Sequence, residues 1–257
     1  LPRAKPLARA LVAQAAACTD GPVLVDGAKT DGIDSLLRDT RKRADIAGQL
    51  SKAHGKLFWL TRPDTLPGGV ADWIAEPGET EDGFITAPGM FSPDGADQGS
   101  EVLVALVPQL KGRVADLGAG WGYMSAVLLE EQDSIEALDL IEAEYSALQA
   151  ARANVDDPRA RFFWGDATTF QPEAQYDAII SNPPFHTGRA ADPALGQAFI
   201  AAAAWMLKPS GQFFMVANQH LPYEATLKAH FGTGKLLAEI AGYKLYQAGK
   251  PKGTRRG

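Results

Sequence analysis

The chain has 257 residues, 46% hydrophobic and 22% charged, a composition typical of a globular protein with one large domain or two modest ones. It shows no signal peptide and no apolar run near the roughly 20 residues that span a bilayer, so we expect a cytoplasmic protein without membrane contact. A single Cys18 excludes an internal disulfide framework, and the four scattered His offer no metal-ligand spacing, so no metal is expected. The net charge of −6 argues against a protein that coats nucleic acid by charge alone.

Residues 1–85 show a broken pattern of short elements. The stretches LARALVAQAAA and GIDSLLRDTRKRA predict helices, and GPVLVDGA and KLFWLT predict short strands. Residues 62–83 are rich in Pro, Gly and acids, which indicates a loop or linker. We therefore predict a small α/β N-terminal domain over residues 1–85, which is locally basic through RDTRKR at residues 38–43 and through Lys52 and Lys56.

From residue 86 onward, strands and helices alternate regularly. The strand signals GRVADLGAG, SIEALDL, ARFFWGDA, YDAIISN and GQFFMVAN are separated by helical patterns. KLLAEIAGYKLYQA then predicts two further strands about a turn at Gly242, before a basic tail. We predict a Rossmann-like α/β domain over residues 86–257, with a mostly parallel seven-stranded sheet that ends in an antiparallel hairpin.

A glycine-rich turn, DLGAGWG, follows the first of these strands and opens a helix. Gly118, Gly120 and Gly122 allow the backbone to turn sharply and to approach a ligand closely. A dinucleotide enzyme would favour the spacing G-x-G-x-x-G, whereas the spacing here is G-x-G-x-G. We predict that these three glycines bind a cofactor of another kind.

Acids accompany three successive predicted strands. Asp116 precedes the glycines and suits a ligand with an amino group, such as the methionine moiety of S-adenosylmethionine (SAM). Asp139, taken as the end of the second strand, is expected to accept hydrogen bonds from ribose hydroxyls. Asp166, at the end of the third, is expected to lie near an adenine amino group. Together the three acids favour ligand binding over simple capping of the strand ends.

The fourth strand ends in SNPPF, at the sheet edge where the glycines are expected. The Asn182 side-chain oxygen and the Pro183 carbonyl can accept the two N–H groups of a planar exocyclic amine, and proline restricts where the carbonyls point. Phe185 offers a face on which a base can stack. We predict that Asn182, Pro183 and Phe185 are catalytic, because they hold the amine in line with the methyl group, and that Asn182 also borders the cofactor. His186 is assigned no catalytic role.

These motifs carry a resemblance to a known family. DLGAGWG, GDA and SNPPFH, in that order, resemble class I SAM-dependent methyltransferases that modify planar nitrogens. PGMFSPDGADQGSEVLVALVP, NPPFHTG, and VANQHLPYEATLKAHFG followed by YKLYQA are similar to the RsmC-type rRNA guanine-N2 methyltransferases. The resemblance covers nearly the whole chain and is strongest from about residue 85 to 247.

The resemblance implies methyl transfer from SAM to the N2 amine of a guanine in ribosomal RNA, usually in the small ribosomal subunit (16S rRNA). It places Asp97 and Gly99, within FSPDGADQGS, near the methionine end of SAM. It also implies a degenerate methyltransferase-like N-terminal domain that holds RNA. Residues 1–85 are too few for a complete domain of that kind, so either its first strands are absent from this chain or the domain has shrunk. We expect a monomer.

Two other functions share parts of this pattern. A protein glutamine-N5 or adenine-N6 methyltransferase uses an Asn-Pro-Pro motif in the same way, although Tyr in place of Phe185 would favour these enzymes. An RNA-binding assembly factor for the ribosome could retain SAM binding without turnover. The intact Asp116, Gly118, Gly120 and Asn182 argue against such decay.

Overall fold

The computed structural model describes residues 1–2, 4–61, 69–184 and 193–252. The chain divides into two compact units, Leu1–Gly78 with Ala87–Gly89, and Glu79–Thr86 with Met90–Gly257. Most of the second unit thus begins close to the predicted boundary at residue 86, but the short segment Glu79–Thr86 also belongs to it. In the described part of the chain, no helix is both long enough and apolar enough to cross a membrane.

The first unit is a three-stranded antiparallel sheet with two helices. Its strand order is β1-β3-β2, and β3 pairs with both neighbours. Most side chains of β2 are exposed, which removes the apolar alternation and explains why this strand was not predicted. The elements are α1 (Lys5–Ala17), β1 (Val23–Ala28), α2 (Ile33–Thr40), β2 (Ile46–Lys52) and β3 (Gly55–Leu60), with short 3₁₀ turns at Lys29–Asp31 and Val70–Trp73.

One face of this small sheet forms the core of the first unit. The apolar stripes of α1 and α2 pack on alternate residues of β1 and β3, as amphipathic helices on a half-buried sheet should. The buried side chains are Ala8, Val12, Ala16, Val23, Val25, Ile33, Leu36, Leu37, Phe58, Leu60 and Val70.

The second unit contains the larger sheet. Its helices are α3 (Gln98–Leu106), α4 (Tyr123–Glu131), α5 (Tyr145–Asn154), α6 (Pro193–Met206) and α7 (Glu224–His230). The strands of the sheet are β6 (Gly112–Leu117), β7 (Ile135–Glu142), β8 (Ala160–Trp164), β9 (Tyr176–Ser181), β10 (Leu207–Asn218), β11 (Phe231–Ile240) and β12 (Tyr243–Pro251). Two short strands, β4 (Gly78–Glu79) and β5 (Ile85–Thr86), precede them.

The predicted fold class is confirmed by the strand order, which is β11-β12-β10-β9-β6-β7-β8. The strands from β8 to β10 in this order are parallel, and β12 is antiparallel to both of its neighbours. Because β6, β7 and β9 are parallel neighbours, their carboxyl ends meet at one edge of the sheet. Ligands bind at this edge in open α/β sheets.

The connections of the first unit repeat those at the end of the second. In both, a helix, a strand, a second helix and a hairpin follow in order, and the last strand lies between the first two. Both hairpins turn through two residues with positive φ, Ala53 (48°) and His54 (61°) in one and Ala241 (53°) and Gly242 (83°) in the other. Such turns match the twist of the flanking strands. The first unit therefore has the topology of one part of the larger sheet, as the resemblance to a degenerate second domain implies.

Helices cover both faces of the larger sheet. On β10, Phe214 and Val216 point into a core with α3 and α4, whereas Phe213 and Met215 point into a core with α6 and α7. This burial on both sides explains the continuous apolar runs of the parallel strands. The rigid sheet then positions the loops that follow β6, β7 and β9.

Candidate functional site

The glycine-rich turn after β6 adopts the conformation that its sequence predicted. Gly118, Gly120 and Gly122 all have positive φ, at 73°, 56° and 91°. Gly122 is the N-cap residue of α4, and a Cβ there would lie 3.0–3.3 Å from Val155 and Ala151. This glycine is therefore required by packing between α4 and α5. Gly122 was also predicted to contact the cofactor, but it is not among the residues that line the cleft.

A cleft that is open to solvent lies over the turn. Four of the residues that were predicted to bind the cofactor line this cleft, namely Asp97, Gly118, Gly120 and Asn182. A Cβ on Gly120 would meet no atom of the described residues within 4 Å, so the backbone here is open to a ligand. The lining residues are Phe91, Ser92, Asp97, Ser100, Gly118, Ala119, Gly120, Trp121, Tyr123, Met124 and Asn182.

The acid that faces the glycine turn is Glu142, the last residue of β7. Its Oε2 accepts a hydrogen bond from the Gly120 N–H at 2.9 Å, and its Oε1 accepts one from the Glu144 N–H at 2.7 Å. Sequence reasoning missed this residue because it ended the strand at Leu140. The signal was present in LDLIEAE, where a second acid follows the last apolar pair and precedes the next helix.

The assignment of Asp139 to a ribose was wrong. This residue lies in the middle of β7 and is fully buried. Its carboxylate accepts hydrogen bonds from Arg161 at 2.7 and 2.9 Å, from Arg113 at 2.8 Å and from the Tyr176 hydroxyl at 2.7 Å. Burial alone would raise the pKa of Asp139, but these hydrogen bonds outweigh it and hold the pKa below its usual range. Asp139 is part of a structural ion network.

Asp116 lies beneath the glycine turn rather than on the surface of the cleft. It is fully buried, and its Oδ2 accepts a hydrogen bond from the Ser125 hydroxyl at 2.8 Å. Its Oδ1 has no hydrogen-bond partner among the residues that the structure describes. Burial raises its pKa to about 7, and the charge of Glu142 raises it further, against the Ser125 hydrogen bond. Asp116 is not among the residues that line the cleft, and its contact with the amino group of SAM stays a prediction.

Asp166 is exposed just beyond β8. Its Oδ1 accepts hydrogen bonds from the N–H and the hydroxyl of Thr168, at 2.8 and 2.7 Å. These bonds fix the turn, and the contact with adenine stays a prediction. Among the described residues, no group of three or more His, Cys, Asp and Glu side chains is arranged to hold a metal ion.

Asn182 follows β9 directly and lines the cleft. Its Nδ2 donates to Asp97 Oδ2 at 2.8 Å and to Ser100 Oγ at 2.9 Å. With both amide hydrogens engaged, Oδ1 is the end of the side chain that can accept from a substrate. Pro183 comes next and is buried, whereas Phe185 and His186 lie outside the described residues.

Asp97 caps helix α3. Its Oδ2 accepts from the N–H groups of Gly99 and Ser100 at 2.9 and 3.2 Å, and the Tyr243 hydroxyl lies 3.4 Å from its Oδ1. A Cβ on Gly99 would lie 2.7 Å from the Tyr243 ring. Gly99 is therefore needed for this close packing and is not among the residues that line the cleft, in contrast to the expected contact with SAM.

Aromatic side chains support the wall of the cleft. The Trp121 indole donates to the Phe91 carbonyl at 2.9 Å, and Trp121, Phe84 and Tyr123 lie within 5.2–5.8 Å of one another. Asn154 donates to the Trp121 carbonyl at 2.8 Å, which ties α5 to the same wall. Ser100 and Phe91 line the cleft as well. Both lie in the motif FSPDGADQGS, but the resemblance implied a cofactor contact only for Asp97 and Gly99 within it.

This sheet order, a glycine turn after β6, an acid at the end of β7 and Asn-Pro-Pro after β9 define a class I SAM-dependent methyltransferase. The family model of the methyltransferase small domain matches residues 81–247. The chain is 37% identical over 255 residues to ribosomal RNA small subunit methyltransferase C of Shewanella sp. (strain MR-4), which covers 95% of this chain and 74% of the relative. The counterpart in Shewanella oneidensis is 36% identical over the same shares of both chains. The chain belongs to the ribosomal RNA small subunit methyltransferase C family.

A solved structure has the same fold. The 16S rRNA N2 G1207 methyltransferase (RsmC) of T. thermophilus, in complex with AdoMet and guanosine, matches with a TM-score of 0.75 and 24% identity. The match covers 96% of this chain and 70% of that one. The predicted family, enzyme class and cosubstrate SAM are confirmed by these findings together.

Proposed function

We propose that the protein transfers a methyl group from SAM to the exocyclic N2 amine of a guanine in 16S rRNA. Relatives that are 36–37% identical to it over 255 aligned residues are named for methylation of small-subunit ribosomal RNA. The observation that carries the proposal is the amide of Asn182, which turns its acceptor oxygen away from Asp97 and Ser100 within the cleft of the glycine turn.

The cleft can hold SAM with residues that this chain supplies. Gly118 and Gly120 allow close approach of the ligand to the backbone, and the Glu142 carboxylate at the end of β7 can accept from ribose hydroxyls. When bound, SAM supplies an electrophilic methyl group, so that an N–C bond forms as the S–C bond breaks, with S-adenosylhomocysteine and a proton as the other products.

The residues after β9 hold the amine. Asn182 Oδ1 accepts one N–H of the guanine amine, and the Pro183 carbonyl accepts the other. The lone pair of the nitrogen is then directed at the methyl group. Positioning of this kind contributes up to roughly 7–11 kcal/mol to the lowering of a barrier. Phe185 is proposed as the face on which the base stacks, which is worth ~1–3 kcal/mol.

The first unit is proposed to contact RNA. Arg38, Arg41 and Lys42 are exposed at the end of α2, and Lys52 is exposed at the end of β2. Exposed cations of this kind bind phosphate groups without reading sequence. The small ribosomal subunit as substrate, a monomeric state and a cytoplasmic location stay predictions.

The proposal is tested by Asn182→Ala with labelled SAM and with small ribosomal subunits and 16S rRNA as acceptors. We expect RNA labelling by the wild type and a fall in kcat of about 10²-fold or more in the variant, with SAM affinity retained. Asn218→Ala is the matched control, because this Asn ends the neighbouring strand β10 and its Oδ1 accepts a hydrogen bond from the His220 N–H. Wild-type protein that labels proteins or DNA but no RNA would exclude the rRNA function and favour a glutamine-N5 or adenine-N6 methyltransferase.

An assembly factor that binds SAM without turnover makes a different prediction. In that case, a deletion strain that expresses Asn182→Ala would have the growth rate and the ribosome profile of the wild type. A methyltransferase with the proposed role loses the methyl group from rRNA in the same strain, which mass spectrometry of rRNA fragments detects directly.

A further inference from the structure

We propose that Asp97 and Ser100 are positioning residues, which act through Asn182 by fixing which end of its amide faces the substrate. The inference rests on the proposed function, since it concerns the same amine. It gives Asp97 a role other than the contact with SAM that the family resemblance implies.

An asparagine side chain can rotate by half a turn and exchange its oxygen with its nitrogen. The two orientations differ in what they offer a guanine amine, because an amine that donates two N–H groups is bound by an oxygen and repelled by an NH₂ group. A catalytic Asn182 therefore needs a device that disfavours the flipped orientation.

The carboxylate of Asp97 is such a device. An ionised carboxylate accepts hydrogen bonds and donates none, so it binds the Asn182 NH₂ group at 2.8 Å and would repel the Asn182 oxygen at the same distance. Ser100 Oγ accepts the second amide hydrogen at 2.9 Å. The two partners together engage Nδ2 completely and leave Oδ1 for the substrate.

Asp97 is itself held in place from three directions. The N–H groups of Gly99 and Ser100 at the start of α3 donate to its Oδ2, which also receives the Asn182 amide after β9. The Tyr243 hydroxyl at the start of β12 faces Oδ1, and burial and the Asp97 charge raise the pKa of Tyr243, so this hydroxyl keeps its proton. Because Oδ2 already has three donors from the protein, a cofactor contact is not needed to explain its position.

The test separates positioning from direct cofactor binding. SAM affinity is measured by calorimetry, and kcat is measured on the RNA substrate, for Ser100→Ala, Asp97→Ala and Asp97→Asn. We expect Ser100→Ala to lower kcat by about 3–10-fold with SAM affinity within twofold of wild type, since it removes one hydrogen bond. Asp97→Ala lowers kcat further, and Asp97→Asn restores most of that loss, because the amide oxygen can accept the same three donors.

Ser134→Ala is the matched control for Ser100→Ala. Its hydroxyl donates to the Leu110 carbonyl at 2.5 Å, before the amino end of β7 and at the opposite edge of the sheet from the cleft. We expect wild-type kcat and SAM affinity from this variant.

Two results would overturn the inference. One is an Asp97→Asn variant with SAM affinity weakened tenfold or more at an unchanged kcat, since a direct ligand of the SAM amino group needs the charge. The other is a Ser100→Ala variant with wild-type kcat. If Asp97→Ala does not fold, the other two variants decide. Failure of the proposed function is distinct, because the wild type itself would then not methylate RNA.

Discussion

The N–H of Gly120 donates to the carboxylate of Glu142 at 2.9 Å, which links the glycine turn after β6 to the last residue of β7. The second carboxylate oxygen accepts from the Glu144 N–H at 2.7 Å. Each oxygen of the carboxylate retains a lone pair, and its orientation relative to the turn is fixed. These free lone pairs are the ones that the proposed contact with the ribose hydroxyls of SAM would use.

Glu142→Ala is expected to weaken SAM binding by about 10–100-fold. Hydrogen bonds to a charged group are worth roughly 1.5–3 kcal/mol, and the variant loses those to the ribose as well as the bond that orders the turn. Isothermal titration of SAM into the purified protein measures the effect. A dissociation constant within twofold of wild type would mean that the ribose lies elsewhere.

Asp139→Asn provides the contrast, because this acid is buried with Arg113, Arg161 and Tyr176. Removal of its charge takes the carboxylate partner from Arg113 and leaves Arg161 with the pair to Glu173 at 3.5 Å. Breaking a fully buried ion pair costs about 3–5 kcal/mol, and the partial exposure of Arg161 to solvent lowers the cost here. We expect the free energy of unfolding in urea to fall by this order of magnitude. The SAM affinity of the protein that remains folded should be close to wild type.

The two glycines Gly120 and Gly122 should respond differently to alanine. At Gly122, φ is 91° and a Cβ would be 3.0 Å from Val155 and 3.2 Å from Ala151, so Gly122→Ala is expected to destabilise the fold by about 1–3 kcal/mol. At Gly120, φ is 56° and a Cβ would meet no atom of the described part of the chain within 4 Å. Gly120→Ala therefore brings backbone strain without a clash and should reduce SAM affinity more than stability. Thermal unfolding without SAM and titration with SAM give the two quantities. Equal loss of SAM affinity in both variants at equal stability would contradict this division.

Asp116 predicts a pH dependence of stability. Its pKa is raised from 3.8 to about 7 in the folded protein, first of all by burial. Between pH 3.8 and about 7, the folded state therefore holds a proton that the unfolded chain has released. The free energy of unfolding falls as the pH rises through this range. The stabilisation is complete below the lower value and lost above the higher one. The loss is on the order of 2–4 kcal/mol.

The measurement compares the wild type with Asp116→Asn by urea unfolding at pH 5 and pH 8, without SAM. The variant keeps an oxygen for the Ser125 hydroxyl but has no proton to release. It should gain stability relative to wild type as the pH rises. Parallel pH profiles for the two proteins would show that Asp116 is ionised throughout.

Local patterns predicted the parts of the site that lie on consecutive residues. DLGAGWG and SNPPF each follow an apolar strand, and parallel strands bring their carboxyl ends together, so the relation of Gly120 to Asn182 followed from the sequence. The strand β2 did not, since its exposed side chains carry no alternation. The exact end of β7 was not predicted either, so the prediction of a ribose contact fell on the buried Asp139 and not on Glu142, the last residue of the strand.

Contacts between distant segments could not be predicted from these patterns. Arg161 pairs with Asp139 because β7 and β8 are neighbours in a register that places the two residues side by side. Asp97 and Asn182 are 85 residues apart, and only the packing of α3 on the sheet, against β10 next to β9, brings them within hydrogen-bond distance. The position of Asp97 in its motif indicates that it belongs to a site, but does not show that its carboxylate binds the amide of Asn182.

The exposed cations of the first unit should affect RNA binding and leave the cofactor site unchanged. We expect the triple variant Arg38→Ala, Arg41→Ala, Lys42→Ala to weaken binding of rRNA fragments at low salt and to reduce the slope of log K against log salt by up to about 3, since each phosphate contact contributes nearly one. The free energy of unfolding should change little, because these side chains are exposed. Lys235→Ala on the exposed strand β11 is the control for loss of charge alone. Fluorescence anisotropy at several salt concentrations measures the slope, and SAM titration confirms that the cleft is intact. A slope equal to wild type in the triple variant would show that RNA contacts other parts of the protein.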